Sequence, residues 1–119
     1  MTEVLRKIGV TRNRPVVVSF QGKNATEFGA AARVYWTLKS AGIERIAILN
    51  GGLRAWEAAG MPLVKGGSMP SRSDIDVVLS DEWMLDEVGV QAVLDGRIDA
   101  RLLDARPLGF FDGRNKHPK

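Results

Sequence analysis

The chain has 119 residues, of which 45% are hydrophobic and 26% are charged, a balance that is typical of a globular domain and excludes a fully disordered chain. Its 17 basic and 14 acidic residues give a formal net charge of +3. The basic residues are scattered and do not alternate with aromatic residues, so we expect no nucleic-acid partner. The absence of cysteine excludes disulfides and cysteine-based metal sites, and we expect no metal site and no cofactor.

The first ten residues, MTEVLRKIGV, contain no long apolar run. We therefore expect neither a signal peptide nor a membrane span there, and no membrane partner. A cytoplasmic location is the resulting expectation.

Two short apolar runs in the first half predict buried parallel strands. They are Val16–Phe20 and Ile46–Asn50, and both are apolar on both faces, as expected for strands flanked by helices. Between them, Asn24 is placed to cap a helix, Glu27 can complete a capping box, and Gly42 fits the position just past the helix end. The apolar residues that recur at helical spacing are Phe28, Ala31, Ala32, Tyr35 and Leu38.

A second helix is predicted at Leu53–Ala59. It follows the pair Gly51-Gly52, which suits a tight strand-to-helix turn, and it is ended by Gly60 with Pro62 behind it. The first half is therefore a predicted β-α-β-α unit.

The second half repeats the alternation of strands and helices. Ser80 is placed to cap a helical stretch, and Gly89 is placed to interrupt it. The other predicted elements are strands at Ile75–Leu79 and Arg101–Ala105 and a short helix at Leu108–Phe111.

These segments resemble the rhodanese family. The run from VVVSF through IAILN to GGLRAW and AGMP resembles the C-terminal half of a rhodanese module. LLDARP followed by FFDG resembles the start of another module, so the order is similar to the middle of a tandem-domain thiosulfate or 3-mercaptopyruvate sulfurtransferase. The residues that match the family's structural motifs are Gly51, Gly52, Trp56, Asp104 and Arg106.

The resemblance implies an α/β fold with a mainly parallel sheet and helices on both faces. We expect residues 1–63 to form the C-terminal half of one rhodanese-like module and residues 75–119 to form the N-terminal part of a second. Residues 64–74, rich in glycine and serine, are the predicted linker. The four predicted strands could close into one compact, circularly permuted core. The alternative is a homodimer, formed by strand exchange or by edge pairing at Arg101–Ala105.

In active members that resemble this chain, a cysteine at the end of the first strand accepts a sulfane sulfur as a thiolate. The resemblance places Phe20 at that position, so no catalytic residue is expected here. The only histidine, His117, lies in the tail and offers no base to a nearby hydroxyl. The loop remains a candidate for binding a small anion such as sulfate or thiosulfate through its N–H groups. Its residues are Gln21, Gly22, Lys23, Asn24 and Ala25.

The second half differs from the family as well. Asp104 and Arg106 match its D-x-R motif, to which the resemblance gives a structural role, but Phe110 stands where several tandem members place a substrate-binding arginine. We therefore interpret the chain as a sulfurtransferase fragment or truncated relative that is inactive as it stands. The alternative is a non-catalytic module that binds an anion or a protein.

Overall fold

The computed structural model describes residues 1–116, and the chain divides into two compact units. The first unit is Met1–Met84 and the second begins at Leu85. The end of the predicted second module, residues 117–119 with His117, lies outside the described residues. The boundaries of the two predicted modules stay a prediction.

The fold is α/β, with helices and a parallel sheet. The elements of the first unit are α1 (Thr2–Lys7), β1 (Val16–Val18), α2 (Ala25–Ser40), β2 (Ile46–Ile48), α3 (Gly52–Ala58) and a 3₁₀ turn (Asp81–Trp83). Those of the second unit are α4 (Glu87–Leu94) and α5 (Leu108–Phe111). Among residues 1–116, no helix has the length and apolar character that a membrane span requires.

The sheet contains two strands where the sequence predicted about four. β1 pairs with β2 in parallel, with Val16 opposite Ile46 and Val18 opposite Ile48. The crossover between them is α2, as expected for neighbouring parallel strands. The β-α-β-α order predicted for the first half is confirmed.

The end of α2 is a Schellman motif built on Gly42. This glycine has φ 77°, and its N–H donates to the Lys39 carbonyl at 2.9 Å. The next N–H, of Ile43, donates to the Leu38 carbonyl at 3.0 Å. Because Ile43 and Leu38 are both buried, the motif also turns the chain into the core. The predicted helix end is confirmed.

The core of the first unit joins residues that are distant in the sequence. Its buried side chains are Leu5, Val10, Leu38, Ala41, Ile43 and Ile75. Packed against them are the half-buried side chains of Val16, Val18, Ile46 and Val77. Helix α1, which was not predicted, and the segment after the linker therefore complete the core over the sheet.

The strand predicted at Ile75–Leu79 is absent, which corrects that prediction. Its carbonyls bond to side chains from the N-terminal segment and not to a neighbouring strand. Arg6 Nε donates to the Ile75 carbonyl at 2.7 Å, and Thr2 Oγ1 donates to the Val77 carbonyl at 3.2 Å. The segment thus contributes apolar side chains to the core but forms no β-ladder. The pairing of Ile75–Leu79 with β2, which a permuted core requires, is therefore not formed within this chain.

The 3₁₀ turn contacts α2 through a hydrogen bond and a cation–π contact. The indole N–H of Trp36 donates to the Trp83 carbonyl at 2.8 Å, and the Lys39 ammonium lies 5.2 Å from the centroid of the Trp83 ring. Ser80 caps the turn, since its hydroxyl accepts from the Glu82 N–H. The predicted cap is correct, but the element it starts is a single turn.

The second unit begins with a helix whose cap was not predicted. Asp86 accepts from the Gly89 N–H at 2.8 Å, so Gly89 lies inside α4 and does not interrupt it. The strand predicted at Arg101–Ala105 is absent, because residues 85–116 contain no other strand with which it could form a ladder. The short helix predicted at Leu108–Phe111 is confirmed as α5.

Candidate functional site

The candidate site is the loop between β1 and α2, at the carboxyl end of β1. Phe20 is half-buried in it, and its ring packs edge-on against Phe28, with 5.7 Å between the ring centroids and 69° between the ring planes. The position matched to a nucleophile is therefore filled by a hydrophobic aromatic pair. The sequence analysis missed Phe28 as a partner. Phe28 is the fourth residue of α2, where a hydrophobic staple places an apolar residue, but that pattern pairs it with the residue directly before the cap, which is Lys23 and not Phe20.

The loop lies against the beginning of α3. The Leu53 N–H donates to the Phe20 carbonyl at 2.8 Å, and the Arg54 N–H donates to the Gln21 carbonyl at 3.1 Å. The first N–H groups of a helix have no partner within the helix, and here two of them are satisfied by the loop. The bonds hold the loop backbone in place, and they also use donors that would otherwise face solvent or a ligand.

The pair Gly51-Gly52 allows this close approach. Both glycines have positive φ, 71° and 66°, which gives the predicted turn between β2 and α3. A Cβ atom on Gly52 would lie 2.5 Å from the Phe20 carbonyl oxygen, and one on Gly22 would overlap the Gly51 carbonyl. The pair thus has a second role beside the turn, namely backbone contact with the loop, which the sequence pattern alone did not reveal.

The start of α2 is a capping box, and it occupies part of the predicted anion cradle. Asn24 Oδ1 accepts from the Glu27 N–H at 3.0 Å, as predicted. In return, Glu27 Oε2 accepts from the N–H of Lys23, one residue before the cap, at 2.9 Å. A negative charge therefore already lies at one of the loop's N–H groups. An incoming anion at Lys23 would have to displace this carboxylate or tolerate its repulsion.

Gly22 is half-buried, whereas Gln21, Lys23, Asn24 and Ala25 are exposed. Of the predicted loop residues, Gly22 lies directly against the glycine pair. Trp56, from the same family motif, is not part of this surface contact. Its indole N–H donates to the Pro62 carbonyl at 3.0 Å and closes the turn after α3.

Asp104 and Arg106, in the second unit, pair with each other. Arg106 Nε donates to Asp104 Oδ1 at 2.9 Å, and the Arg106 backbone N–H donates to the same oxygen at 2.9 Å. The guanidinium hydrogen bonds lower the pKa of Asp104 to about 2. The carboxylate is therefore ionised at neutral pH and serves to order its own turn. Phe110 stands at the position where, by resemblance, several tandem members have an arginine, and its phenyl ring carries no charge to attract an anion.

Among residues 1–116, no three potential metal-ligating side chains come together in a group. The chemistry available at the loop is therefore that of backbone N–H groups, the Lys23 ammonium and the Glu27 carboxylate. With no cysteine in the chain, it includes no thiolate.

Comparison with known proteins supplies the remaining evidence. A Mycobacterium tuberculosis protein provisionally named thiosulfate sulfurtransferase SseB is 33% identical over 109 residues, which are 92% of this chain. The 3-mercaptopyruvate sulfurtransferase of Escherichia coli is 24% identical over 97% of the chain. A Pseudomonas aeruginosa protein provisionally named 3-mercaptopyruvate sulfurtransferase is 34% identical over 92%. The chain is a relative of the sulfurtransferases.

This relation is consistent with the resemblance to the rhodanese family. The chain spans only 37–39% of the length of these three curated relatives. No protein-family model matches it. No solved structure is significantly similar to it.

Proposed function

We propose that this chain is a rhodanese-like relative of the sulfurtransferases that does not transfer sulfur by itself. The observation that carries the proposal is Phe20 at the carboxyl end of β1. Sulfur transfer of the expected kind needs a thiolate that accepts a sulfane sulfur and passes it on. A phenyl ring neither ionises nor holds sulfur, and its contact with Phe28 makes it a packing residue.

For a longer parent chain, we propose sulfane sulfur transfer from thiosulfate or 3-mercaptopyruvate to a thiophilic acceptor. The names of the relatives support this class of reaction. Because the chain spans only 37–39% of those relatives, the reactive cysteine of such a parent is assigned to a part that this chain does not include.

The test of inactivity is direct. After incubation with thiosulfate or 3-mercaptopyruvate, we expect the intact-mass spectrum to show no gain of a sulfur atom, and we expect no thiocyanate when cyanide is added. A stable sulfur adduct, or turnover by the cysteine-free chain, contradicts the proposal.

A variant tests whether the loop is suited to a persulfide. In Phe20→Cys we expect a sulfur adduct with thiosulfate, because the thiol then stands at the end of β1 beside the loop's N–H groups. The matched control is Phe28→Cys, which removes the other ring of the pair. Phe28 lies on α2 and is 51% exposed, so its thiol would also be accessible. Equal reactivity of the two thiols would show that the loop gives no advantage.

A second candidate function is a non-catalytic module that binds a small anion or a protein through the loop. It is favoured by the exposure of Lys23 and Asn24 at the beginning of α2. The contact between Glu27 and the Lys23 N–H opposes it, since the carboxylate competes with an anion.

Titration with sulfate, followed by the backbone amide resonances, tests anion binding. We expect the first shifts at residues 22–25, and tighter binding by Glu27→Gln, which keeps an acceptor but removes the competing charge. Thr26→Gln is the control for a glutamine in the same turn. Shifts confined to residues 114–119 would instead indicate general attraction to the basic tail.

A further inference from the structure

Residues 63–69 connect two parts of the first unit, and all seven are exposed. Val64 is 88% exposed and Met69 is 94% exposed. Among residues 1–116, apart from its chain neighbours, nothing lies within 4 Å of a Cβ atom added at Gly66 or at Gly67. An exposed connection of small and polar residues with so little packing is a preferred place for a protease to cut a folded chain.

Lys65 is the only basic residue in this connection, and Gly66 follows it. A protease that cuts after lysine or arginine therefore has one site between residues 63 and 69. The next basic residue is Arg72, whose guanidinium donates two hydrogen bonds of 2.6 Å to the Glu3 carboxylate. Because a substrate segment has to enter the cleft of the protease, the paired Arg72 is a poorer site than Lys65.

The chain after the connection is bound to the beginning of the chain through its backbone. The Ser73 N–H donates to the Arg6 carbonyl at 3.0 Å, and Arg6 Nε donates to the Ile75 carbonyl at 2.7 Å. Arg12 Nη2 donates to the Asp76 carbonyl at 3.1 Å. These hydrogen bonds join residues that are more than 60 positions apart in the sequence, and none of them involves the connection.

Ile75 is the apolar anchor of this bound segment. It is 6% exposed and belongs to the cluster of buried side chains in the first unit. The other buried members all come from the chain before the connection, and they are Leu5, Val10, Leu38, Ala41 and Ile43. Five residues after Ile75, the Ser80 N–H donates to the Ser40 carbonyl at 2.8 Å. The core of the first unit is therefore complete only when both parts are present.

We propose that the bond between Lys65 and Gly66 is a processing site for a protease that cuts after basic residues, and that the cut leaves the first unit folded as a complex of two pieces. Hydrolysis adds one water molecule across this amide and leaves a carboxylate on Lys65 and an ammonium group on Gly66. The contacts between the pieces survive, because they do not involve residues 63–69. The pieces lose the high effective concentration that a short connection provides, so their complex dissociates on dilution.

The experiment is brief digestion of the full chain with a small amount of trypsin, followed by intact-mass spectrometry and gel filtration at near-millimolar concentration. Within residues 1–84, we expect the first cut after Lys65. We also expect the two pieces to elute together and to keep the circular dichroism of the uncut chain. A first cut elsewhere within residues 1–84 overturns the processing site, and pieces that elute separately or lose their helical signal overturn the complex.

The matched variants for the site are Lys65→Gln and Arg54→Gln. Lys65→Gln removes the basic residue from the connection, so we expect loss of the cut between residues 63 and 69. Arg54 is an exposed residue of α3, and Arg54→Gln should leave the rate of this cut unchanged. An equal effect of the two variants contradicts the assignment of the cut to Lys65.

The matched variants for the complex are Ile75→Ala and Val78→Ala, each cut and then diluted. We expect the dissociation constant of the two pieces to rise roughly thirtyfold or more in Ile75→Ala, because the bound segment loses its buried anchor. Val78 is 88% exposed, so Val78→Ala should leave the constant unchanged. If Ile75→Ala fails to fold before the cut, Ile75→Val replaces it, with an expected rise of roughly threefold. Equal constants in the Ile75 and Val78 variants contradict the proposal.

Discussion

At the scale of single residues, the candidate loop depends on positions where a side chain has no room. Gly22 and Gly52 bring two stretches of backbone into contact, and both have a positive φ. Gly60, after α3, has the same kind of φ but open space around it. A comparison of Gly52 with Gly60 therefore separates the need for a positive φ from the need for space at a close backbone contact.

We expect Gly52→Ala to destabilise the first unit more than Gly60→Ala does. Both variants force alanine into the left-handed region, at a cost of about 1–2 kcal/mol. Gly52→Ala adds an overlap with the Phe20 carbonyl, which costs about 1–3 kcal/mol more if the loop shifts as an overpacked core does. Urea denaturation gives the free energy of unfolding of both variants. Equal losses would show that the close backbone contact at Gly52 adds nothing to the cost of the substitution.

At the scale of elements, the helix boundaries come from local hydrogen bonds. The start of α2 uses Asn24, Glu27 and Lys23, and its end uses Gly42. All partners at each end lie within a few residues of each other, so the pattern could be recognised in the sequence. The predicted strands at Ile75–Leu79 and Arg101–Ala105 failed for the opposite reason, because an apolar run indicates an extended segment but does not supply the strand that it must pair with.

Substitution of the cap tests the contribution of α2's first turn. We expect Asn24→Ala to lower the free energy of unfolding by about 0.5–2 kcal/mol, because the Glu27 N–H loses its acceptor. Asn24→Gly is the control, with an expected loss of only a few tenths of a kcal/mol, since glycine leaves the helix end open to water. A thermal or urea transition that is unchanged in Asn24→Ala would contradict the role of this cap.

At the scale of the whole molecule, the first unit depends on a segment that follows the linker. Ile75 is 6% exposed and packs in one cluster with Leu5 and Ile43. Its carbonyl also accepts from Arg6. The first unit therefore extends to Met84, beyond the point where the family resemblance places the end of the first module.

Removing the Ile75 side chain should show this dependence. We expect Ile75→Ala to cost about 2–5 kcal/mol, because it leaves a cavity among buried side chains of the core. Val78→Ala, at an 88% exposed position three residues later, should change stability by less than about 0.5 kcal/mol. A small effect of Ile75→Ala would mean that the unit's core is complete without this segment.

The sequence by itself determined the α/β class, the parallel pair of strands joined by α2, the ends of α2, and the absence of a thiol nucleophile. These features depend on residue identity or on contacts between near neighbours in the chain, and such contacts leave a readable pattern. Only the tertiary structure decided that α1 and Ile75 complete the core and that the loop carbonyls accept from α3. Each of these contacts depends on which distant segments of the chain pack together. A local pattern of apolar and polar residues is compatible with many such arrangements.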